Sequence, residues 1–466
     1  MTDRTTEVRR VGGSFHDPSG FLYERDGVLL RQVDQSFASG YDRFISSGCY
    51  DALVAEGLLV EHHEVGLELA ATPRAHRVLA PRRLPFVAYP YEWSPAQRRE
   101  AALLTLRCQD VALDHGLALR DASAFNVQFD RGRPIFIDSL SFGPYIEGDP
   151  WVAYRQFCQH FVAPLALETL VDARLAALLR GSLDGIPLDL AAALLPARSR
   201  LRPGLLLHIH GQARASRTRP AEAGQAPRTA RFSERAMRGL IQGLRGLVEG
   251  LRWNPGRTAW SAYYEEAGHY AAEAMDEKLR AVGRFLDRVA PGTVWDLGAN
   301  TGRFARMAAE RGAHVVAFDS DYGAVERGWL DLESVHLAGS VLPLVLDLTN
   351  PSPALGWAHA ERDSLADRGP ADLVLALALV HHLAIGANIP LPHLAAYLAQ
   401  LAPHLVVEWV PKEDPKVQVL LATREDVFPD YAAETFEAVF GERFTVLERE
   451  PLPGSGRVLY LMAARP

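Results

Sequence analysis

A short glycine turn between a strand-like and a helix-like segment constrains the fold of this chain more than any other feature. The apolar run Thr293–Leu297 leads into Gly298–Gly302, and helical spacing of apolar residues begins at Arg303. A strand that passes through glycines directly into a helix is typical of the first unit of a parallel α/β sheet. We therefore predict a parallel sheet with covering helices in the C-terminal half.

Strand-like and helix-like segments alternate from about residue 256 onward. The unbroken apolar run Leu373–Leu379 is typical of a central parallel strand, and the short joint Pro451–Gly456 requires antiparallel pairing of the last two strands. The fold class predicted for residues 256–466 is α/β, a Rossmann-like sheet that ends in an antiparallel pair. The other predicted strands are His314–Phe318, Leu342–Leu346, Leu405–Trp409, Phe444–Arg449 and Arg457–Met462.

Candidate cofactor-binding residues lie in the glycine turn and at the strand ends. The turn has Gly-x-x-x-Gly spacing after Asp296, whereas a dinucleotide site needs Gly-x-Gly-x-x-Gly for its pyrophosphate, so NAD is disfavoured. S-adenosylmethionine has no pyrophosphate, and its cationic methionine end suits an acid at Asp296. The full predicted set is Asp296, Gly298, Ala299, Asn300, Gly302, Asp319, Asp347 and Leu348.

Three acids in this set follow successive predicted strands. Asp319, after the second strand, can accept hydrogen bonds from ribose hydroxyls, and Asp347-Leu348, after the third, can contact adenine. A single aspartate at a strand end is most often a helix cap or a turn residue. Their order along the chain favours the cofactor interpretation over that alternative.

These motifs resemble class I S-adenosylmethionine-dependent methyltransferases over about residues 256–466. Asp296–Gly302 has the form Asp-x-Gly-x-Asn-x-Gly, and Asp372–Ala376 is followed by His381-His382-Leu383. The resemblance implies a methyltransferase with S-adenosylmethionine as its cofactor. A more particular similarity, to a bacterial nodulation-protein-like group, is carried by Leu344–Trp357, Glu361-Arg362 and Ala376–His382.

Candidate catalytic residues follow the fourth and fifth predicted strands. Methyl transfer requires positioning of the acceptor and, in some reactions, removal of a proton. His381 and His382 lie at the sheet edge where ligands bind in open α/β folds, so either is a candidate base, with a structural role as the alternative. Glu408, with Lys412 close behind it, is a candidate for substrate contact, and its alternative is a solvated pair.

The predicted methyl acceptor is a small molecule, sugar or glycan, or natural-product intermediate. No Asn-Pro-Pro-Tyr motif follows the fourth strand, which favours oxygen or carbon over amide or base amines. The net charge of −8 disfavours nucleic acid as a partner. No apolar run is long enough to span a bilayer, and no metal site is predicted. No feature of the sequence indicates an oligomeric state.

A kinase-like motif lies in the N-terminal region, residues 1–200, where we predict an α+β domain for substrate recognition. Leu119–Asn126 has the Arg-Asp-x4-Asn form of a protein-kinase catalytic loop, and a strand hairpin and Asp138 follow it. A kinase-like interpretation makes Asp121 the base and makes Asn126 and Asp138 metal ligands. Arg31 would then replace the phosphate-binding lysine.

Two departures weaken this interpretation. The first lysine of the chain is Lys278, and Ser139-Leu140 follows Asp138 where a kinase has Phe-Gly. Arginine does not replace lysine conservatively at such a point. An unrelated α+β domain that presents substrate is therefore the alternative.

An arginine-rich linker is predicted over residues 201–255, ahead of the methyltransferase-like domain at 256–466. Arg198–Arg252 contains twelve arginines and three acids. The cysteines Cys49, Cys108 and Cys158 form no Cys-x-x-Cys pair, which fits a reducing cytoplasm. Two other functions stay open, a bifunctional methyltransferase and kinase-like protein, and a non-catalytic S-adenosylmethionine-binding protein.

Overall fold

The computed structural model describes residues 8–218, 232–256, 269–332, 335–422 and 425–465. The chain divides into two compact units. The first comprises Met1–Asn254 together with Ala354–Arg362, and the second comprises Pro255–Pro353 and Asp363–Pro466. The division after Asn254 lies beside the predicted start of the C-terminal domain, whereas the inclusion of Ala354–Arg362 in the first unit has no counterpart in the sequence analysis.

An antiparallel sheet with strand order β1-β2-β3-β5-β4 forms one part of the first unit. The hairpin between β2 and β3 turns at Asp26 and Gly27, which both have positive φ, as tight antiparallel hairpins require. Tyr23, Leu30 and Val78, which lie on three of its strands, are fully or almost fully buried and belong to one apolar cluster. The strands are β1 (Val8–Arg10), β2 (Gly20–Arg25), β3 (Val28–Asp34), β4 (His62–Val65) and β5 (Ala75–Pro81).

Helices and two small two-stranded sheets complete the first unit. β6 pairs with β9, and β7 pairs with β8. The long helix α3 begins in a capping box, in which Ser94 and Gln97 each accept a hydrogen bond from the other's backbone N–H. The elements are α1 (Ala38–Ser46), α2 (Cys49–Ala55), α3 (Pro95–Asp114), β6 (Leu117–Leu119), β7 (Val127–Asp130), β8 (Arg133–Phe136), β9 (Phe142–Pro144), α4 (Tyr154–Phe157), α5 (Ala163–Leu170), α6 (Leu178–Gly181), α7 (Leu188–Leu194), α8 (Pro203–Leu205), α9 (Gln212–Thr218) and α10 (Glu234–Gly250).

The segment 201–255 differs from the predicted linker in the part that the structure describes. Helix α10 buries Met237, Ile241, Leu244 and Val248, which recur every three or four residues and form one apolar face. This helix packs on α3. The abundance of arginine hid the face, because the arginines occupy the intervening positions. Residues 219–231 of the predicted linker lie outside the described residues.

A mixed sheet with order β12-β11-β10-β13-β14-β16-β15 organises the second unit. Strands β10 to β14 are parallel, and β16 runs antiparallel between β14 and β15. The predicted Rossmann-like fold is therefore confirmed. The strands are β10 (Thr293–Leu297), β11 (His314–Asp319), β12 (Ser340–Val345), β13 (Leu373–Ala376), β14 (His404–Trp409), β15 (Phe444–Pro451) and β16 (Val458–Ala464).

Helices cover this sheet and close its core. Phe285 of α11 and Phe304 of α12 are buried in one cluster with Val294 and Leu375 of the central strands. Within the described ranges, no helix is both long and apolar enough to cross a membrane. The helices are α11 (His269–Val289), α12 (Arg303–Glu310), α13 (Tyr322–Leu332), α14 (Leu391–Leu401), α15 (Pro415–Leu421) and α16 (Ala433–Arg443).

Candidate functional site

The glycine turn follows β10 directly and leads into α12. Gly298 and Gly302 have φ of 76° and 81°, which glycine adopts without steric cost. The backbone N–H groups of Gly298 and Ala299 donate to the Phe318 carbonyl at 2.8 and 2.9 Å. The turn is therefore fixed against the end of β11, of which Asp319 is the last residue.

Asp319 is tied to the glycine turn by backbone hydrogen bonds. One carboxylate oxygen accepts from Asn300 N–H at 2.8 Å, and the other accepts from Asp321 N–H at 2.8 Å. Burial raises the pKa of Asp319, while these backbone bonds oppose the rise. A carboxylate oxygen has two lone pairs, so each oxygen can accept a second hydrogen bond from a ligand.

Asp296 lies just before the turn and is 2% exposed. Its Oδ2 has no hydrogen-bond partner among the residues that the structure describes. Burial raises the pKa of Asp296 to about 7; Lys278 opposes this rise and Asp319 adds to it. A buried oxygen without a partner is costly. The site therefore fits a ligand that brings a donor or a positive charge to this oxygen.

The two residues predicted to contact adenine differ in their surroundings. Asp347 is exposed, and its Oδ1 accepts from the Thr349 N–H and hydroxyl at 2.8 and 2.7 Å, as a turn aspartate does. Leu348 lines an apolar cavity with Leu297 and Pro351. An apolar cavity beside the strand ends fits a flat ring, so Leu348 is better placed for this contact than Asp347.

His381 and His382 follow β13 with ring centroids 4.2 Å apart. His381 is 1% exposed, and its Nδ1 lacks a hydrogen-bond partner within the described part of the chain. Burial, His382 and Arg457 lower the pKa of His381 to about 3, and burial also lowers the pKa of His382. Both imidazoles are therefore neutral near pH 7, and His381 strongly resists protonation.

Glu408 is the centre of a buried ion-pair network. It is fully buried, and its two oxygens accept from Lys278 Nζ at 2.5 Å and Arg457 Nη1 at 3.1 Å. Burial alone would raise the pKa of Glu408, but Lys278 and Arg457 hold it below its ordinary value. The geometry therefore differs from the predicted substrate contact, and Lys412 pairs with Asp426 instead.

Lys278 and Arg457, the partners of Glu408, were not predicted from the sequence. Lys278 lies 130 residues before Glu408 in the chain, so no local spacing links them. One feature of the sequence could have drawn attention to Lys278, which is one of only three lysines in the chain.

The structure brings the kinase-like residues of the first unit together, but Asp138 is already paired with other side chains of the protein. Arg31 Nη2 lies 2.6 Å from Asp138 Oδ1. The other oxygen of Asp138 accepts from the Ser141 hydroxyl at 2.5 Å. Both carboxylate oxygens of Asp138 are thus engaged by the protein itself.

Asp121 and Asn126 lie beside this pair. Asp121 accepts from Ser123 N–H at 2.8 Å, and burial raises its pKa, to which Asp138 contributes. Asn126 donates to Ser141 at 3.3 Å. Among the described residues, no group of three or more His, Cys, Asp or Glu side chains is placed to hold a metal ion.

The sheet order, the glycine turn and Asp319 at the next strand end define the second unit as a class I methyltransferase fold. The chain is 37% identical over 464 residues to the nodulation protein NoeA of Rhizobium meliloti (strain 1021), covering 97% of this chain and 95% of that protein. The chain therefore belongs to the family of nodulation protein NoeA. No protein-family profile matches it.

Solved methyltransferases resemble part of the chain. The magnesium protoporphyrin IX methyltransferase ChlM of Synechocystis PCC 6803, with bound SAH, is 17% identical, with a TM-score of 0.32; the match covers 43% of this chain and 89% of ChlM. The N-methyltransferase NodS of Bradyrhizobium japonicum WM9, in complex with S-adenosyl-L-homocysteine, is 13% identical, with a TM-score of 0.33; the match covers 46% of this chain and 95% of NodS.

Proposed function

We propose that the chain is an S-adenosylmethionine-dependent methyltransferase that acts on oxygen or carbon of a small molecule, sugar or natural-product intermediate. The observation that carries this proposal is the buried Asp296 carboxylate, whose Oδ2 has no partner within the described residues. It lies directly before the glycine turn, at the edge where ligands bind in open α/β sheets.

The residues around the turn fit the three parts of this cofactor. Asp296 would bind the cationic methionine end, Asp319 would accept hydrogen bonds from the ribose hydroxyls, and Leu348 would cover the adenine ring. When bound, the cofactor supplies a methyl group on a sulfonium, which is open to in-line displacement.

The histidines after β13 supply the second part of the mechanism. His382 is half-buried, so it can accept a proton from an acceptor hydroxyl or an acidic carbon. His381 is almost fully buried, and its pKa of about 3 makes it the weaker base. We therefore assign proton removal to His382, with His381 beside it as a neutral polar group at Nδ1.

The ion pair in the first unit bears on the alternative of a bifunctional enzyme. Magnesium-dependent phosphoryl transfer needs carboxylates that are available to metal ions. Arg31 and Ser141 already engage both oxygens of Asp138. We therefore assign substrate recognition, not phosphoryl transfer, to the first unit.

Calorimetric titration with S-adenosylmethionine tests the proposed function. We expect saturable binding to the wild type and at least about tenfold weaker binding to Asp319→Ala, because hydrogen bonds to a charged group are lost. Asp430→Ala, which removes an exposed carboxylate outside the site, is the matched control and should bind as the wild type does. Absence of binding to the wild type would overturn the proposal.

Methyl turnover distinguishes an enzyme from a non-catalytic cofactor-binding protein. With hydroxylated small molecules and sugars as acceptors, we expect methyl transfer from labelled S-adenosylmethionine, and His382→Ala should slow it by about a hundredfold. Equal rates for His382→Ala and the wild type would remove His382 from the mechanism.

A further inference from the structure

An exposed surface of the first unit combines leucine and arginine side chains. It lies where the 3₁₀ turn Ala197–Leu201 leads into α8, a π-helical turn at Leu206–Gly211 and α9. We call this surface the basic apolar patch, and its exposed side chains are Arg198, Arg200, Leu201, Arg202, Leu206 and Leu207. Grouped apolar side chains on a surface, rimmed by polar ones, mark an interaction site more often than single ones do.

The leucines of the basic apolar patch point outward although other apolar side chains of the same helical turns point inward. Leu201, Leu206 and Leu207 are 84%, 49% and 59% exposed, whereas Leu205 and Ile209 are fully buried. The buried pair satisfies the core, so the exposed leucines are not needed to hold the segment in place. They leave apolar area in water that a partner can cover.

The basic apolar patch is held in shape by contacts within the first unit. The Ser199 hydroxyl and His210 Nε2 are hydrogen-bonded at 2.8 Å, and Leu206 N–H donates to the Arg202 carbonyl at 2.9 Å. Gly204 lies so close to α10 that a Cβ on it would be 2.9 Å from a methyl group of Leu247. A surface that is already formed costs little ordering when it binds a partner.

The arginines of the basic apolar patch give it a local positive charge. Residues 190–218 contain five arginines and no aspartate or glutamate. Within the described part of the chain, none of the three guanidinium groups of the patch pairs with an acidic side chain. Other exposed arginines of the first unit do pair, as Arg9 does with Glu24 and Arg74 with Asp34. The patch is therefore positive on a chain whose net charge is −8.

The composition of the basic apolar patch distinguishes three kinds of partner. Proteins that bind single-stranded nucleic acid stack bases on aromatic rings, and residues 198–207 contain none. A two-fold contact with a second copy would place the patch against itself, with like charges facing each other and no acid to separate them. An anionic bilayer surface offers negative headgroups to the arginines and an acyl boundary to the leucines.

We propose that the basic apolar patch binds the surface of a membrane that contains anionic lipids. The arginines contact the headgroup phosphates, which guanidinium groups bind through paired hydrogen bonds. Leu201, Leu206 and Leu207 enter the boundary between the headgroups and the acyl chains. The inference concerns the first unit alone and goes beyond the proposed function, because it depends neither on the cofactor nor on methyl transfer.

Co-sedimentation of the full chain with lipid vesicles tests the inference. We expect binding to vesicles of phosphatidylcholine mixed with phosphatidylglycerol, no binding to phosphatidylcholine alone, and weaker binding at high salt. Arg198→Gln, Arg200→Gln and Arg202→Gln combined should weaken binding about a hundredfold, since each basic side chain near an anionic surface contributes roughly fivefold.

The matched control for this variant removes three other arginines of the first unit. Arg9, Arg74 and Arg83 have exposed side chains and lie in or beside β1 and β5, outside the basic apolar patch. Their combined replacement by glutamine changes the net charge by the same amount. This control should bind the mixed vesicles as the wild type does.

The leucines are tested separately from the charge. Leu201→Ser combined with Leu207→Ser should weaken binding to the mixed vesicles at least about tenfold, because less apolar area leaves water. Val152→Ser is the control, since Val152 is 72% exposed elsewhere in the first unit. The thermal unfolding temperature should stay unchanged in all of these variants, because the replaced side chains are exposed.

Three results would overturn the inference. The first is a wild type that does not bind the mixed vesicles, whether or not it binds an oligonucleotide. The second is equal vesicle binding by the patch variants and their controls. The third is a lower mass in sedimentation velocity for the Leu201→Ser and Leu207→Ser variant than for the wild type, which would assign the basic apolar patch to a second copy of the chain.

Discussion

Each unit places a buried aspartate near a cation, and the two outcomes differ. In the first unit, Arg31 lies 2.6 Å from Asp138 and forms an ion pair with its carboxylate. In the second unit, Lys278 pairs with Glu408 at 2.5 Å, and Asp296 keeps an unpartnered Oδ2 within the described residues. A sequence motif determines where a carboxylate lies. Whether the carboxylate can bind a ligand depends on whether a nearby cationic side chain pairs with it or with another acid.

Removal of Arg31 should have the largest effect on stability. Asp138 is 9% exposed, so Arg31→Met would leave a nearly buried carboxylate without its cation and cost about 3–5 kcal/mol of unfolding free energy. Urea unfolding measures this cost. The double change Arg31→Met with Asp138→Leu should recover much of it, because the nearly buried carboxylate is removed together with its cation, and Asp17, the second partner of Arg31, is more exposed to water.

The control for Arg31 is an exposed ion pair in the same unit. Arg107 pairs with Glu56, and both side chains are more than 40% exposed. Arg107→Met should cost less than about 1 kcal/mol. Equal losses of unfolding free energy in Arg31→Met and Arg107→Met would contradict the claim that Asp138 is a nearly buried carboxylate that depends on Arg31.

Removal of Lys278 should have a smaller effect, because Arg457 still pairs with Glu408. We expect Lys278→Met to cost about 2–3 kcal/mol in urea unfolding. It should also raise the pKa of Asp296 further, since Lys278 holds that pKa down. An unchanged pH profile of cofactor binding in Lys278→Met would contradict this link.

The pKa of Asp296 predicts a dependence of cofactor affinity on pH. A cation prefers the ionised carboxylate, and the pKa of Asp296 is about 7, so affinity should rise about tenfold from pH 6 to pH 8. Asp296→Asn should lose this rise. The comparison with Asp296→Asn also separates the titration of Asp296 from that of the ligand's amino group.

The Asp296 carboxyl affects folding stability in the opposite direction, because its contribution to the free energy of unfolding decreases as pH increases. A carboxyl whose folded pKa is raised stabilises the folded state most in acid, and this contribution is lost as pH increases from about 4 to 7. Asp296→Asn should therefore be more stable than the wild type at pH 8 in urea unfolding. Lower stability of the Asn variant at that pH would argue against a costly buried charge.

The smallest effect is expected from ATP with magnesium. Because Asp138 is engaged by Arg31 and Ser141, we expect a shift in thermal unfolding of less than about 1 °C. A stabilisation of several degrees that disappears in Asp138→Ala would restore the kinase-like alternative.

Local patterns predicted the architecture of the second unit. The alternation of apolar runs and helical spacing predicted strands β10 to β16 to within a few residues. This was possible because the periodicity that marks a strand or a helix is a property of residues close together in the sequence. Asp319 was placed correctly beside the turn for the same reason. The cofactor interpretation of Asp296 and Asp319 remains a prediction.

Contacts between residues far apart in the sequence could not be predicted from local patterns. The Lys278–Glu408 pair joins residues 130 positions apart, so Glu408 was interpreted as a substrate contact. The apolar face of α10 was hidden among arginines and predicted as a linker. The inclusion of Ala354–Arg362 in the first unit could not be foreseen, because the contacts of Glu361 with His16 and of Arg362 with Phe125 depend on the folded first unit.

The binding of S-adenosylmethionine to the wild type and to Asp296→Asn at pH 8 tests the central claim most directly. The side chains have nearly the same shape, and only the charge and its acceptor oxygen change. We predict one-site calorimetric binding to the wild type and at least about tenfold weaker binding to Asp296→Asn, the loss expected for a hydrogen bond to a charged group. Equal affinity of the two proteins would contradict the account.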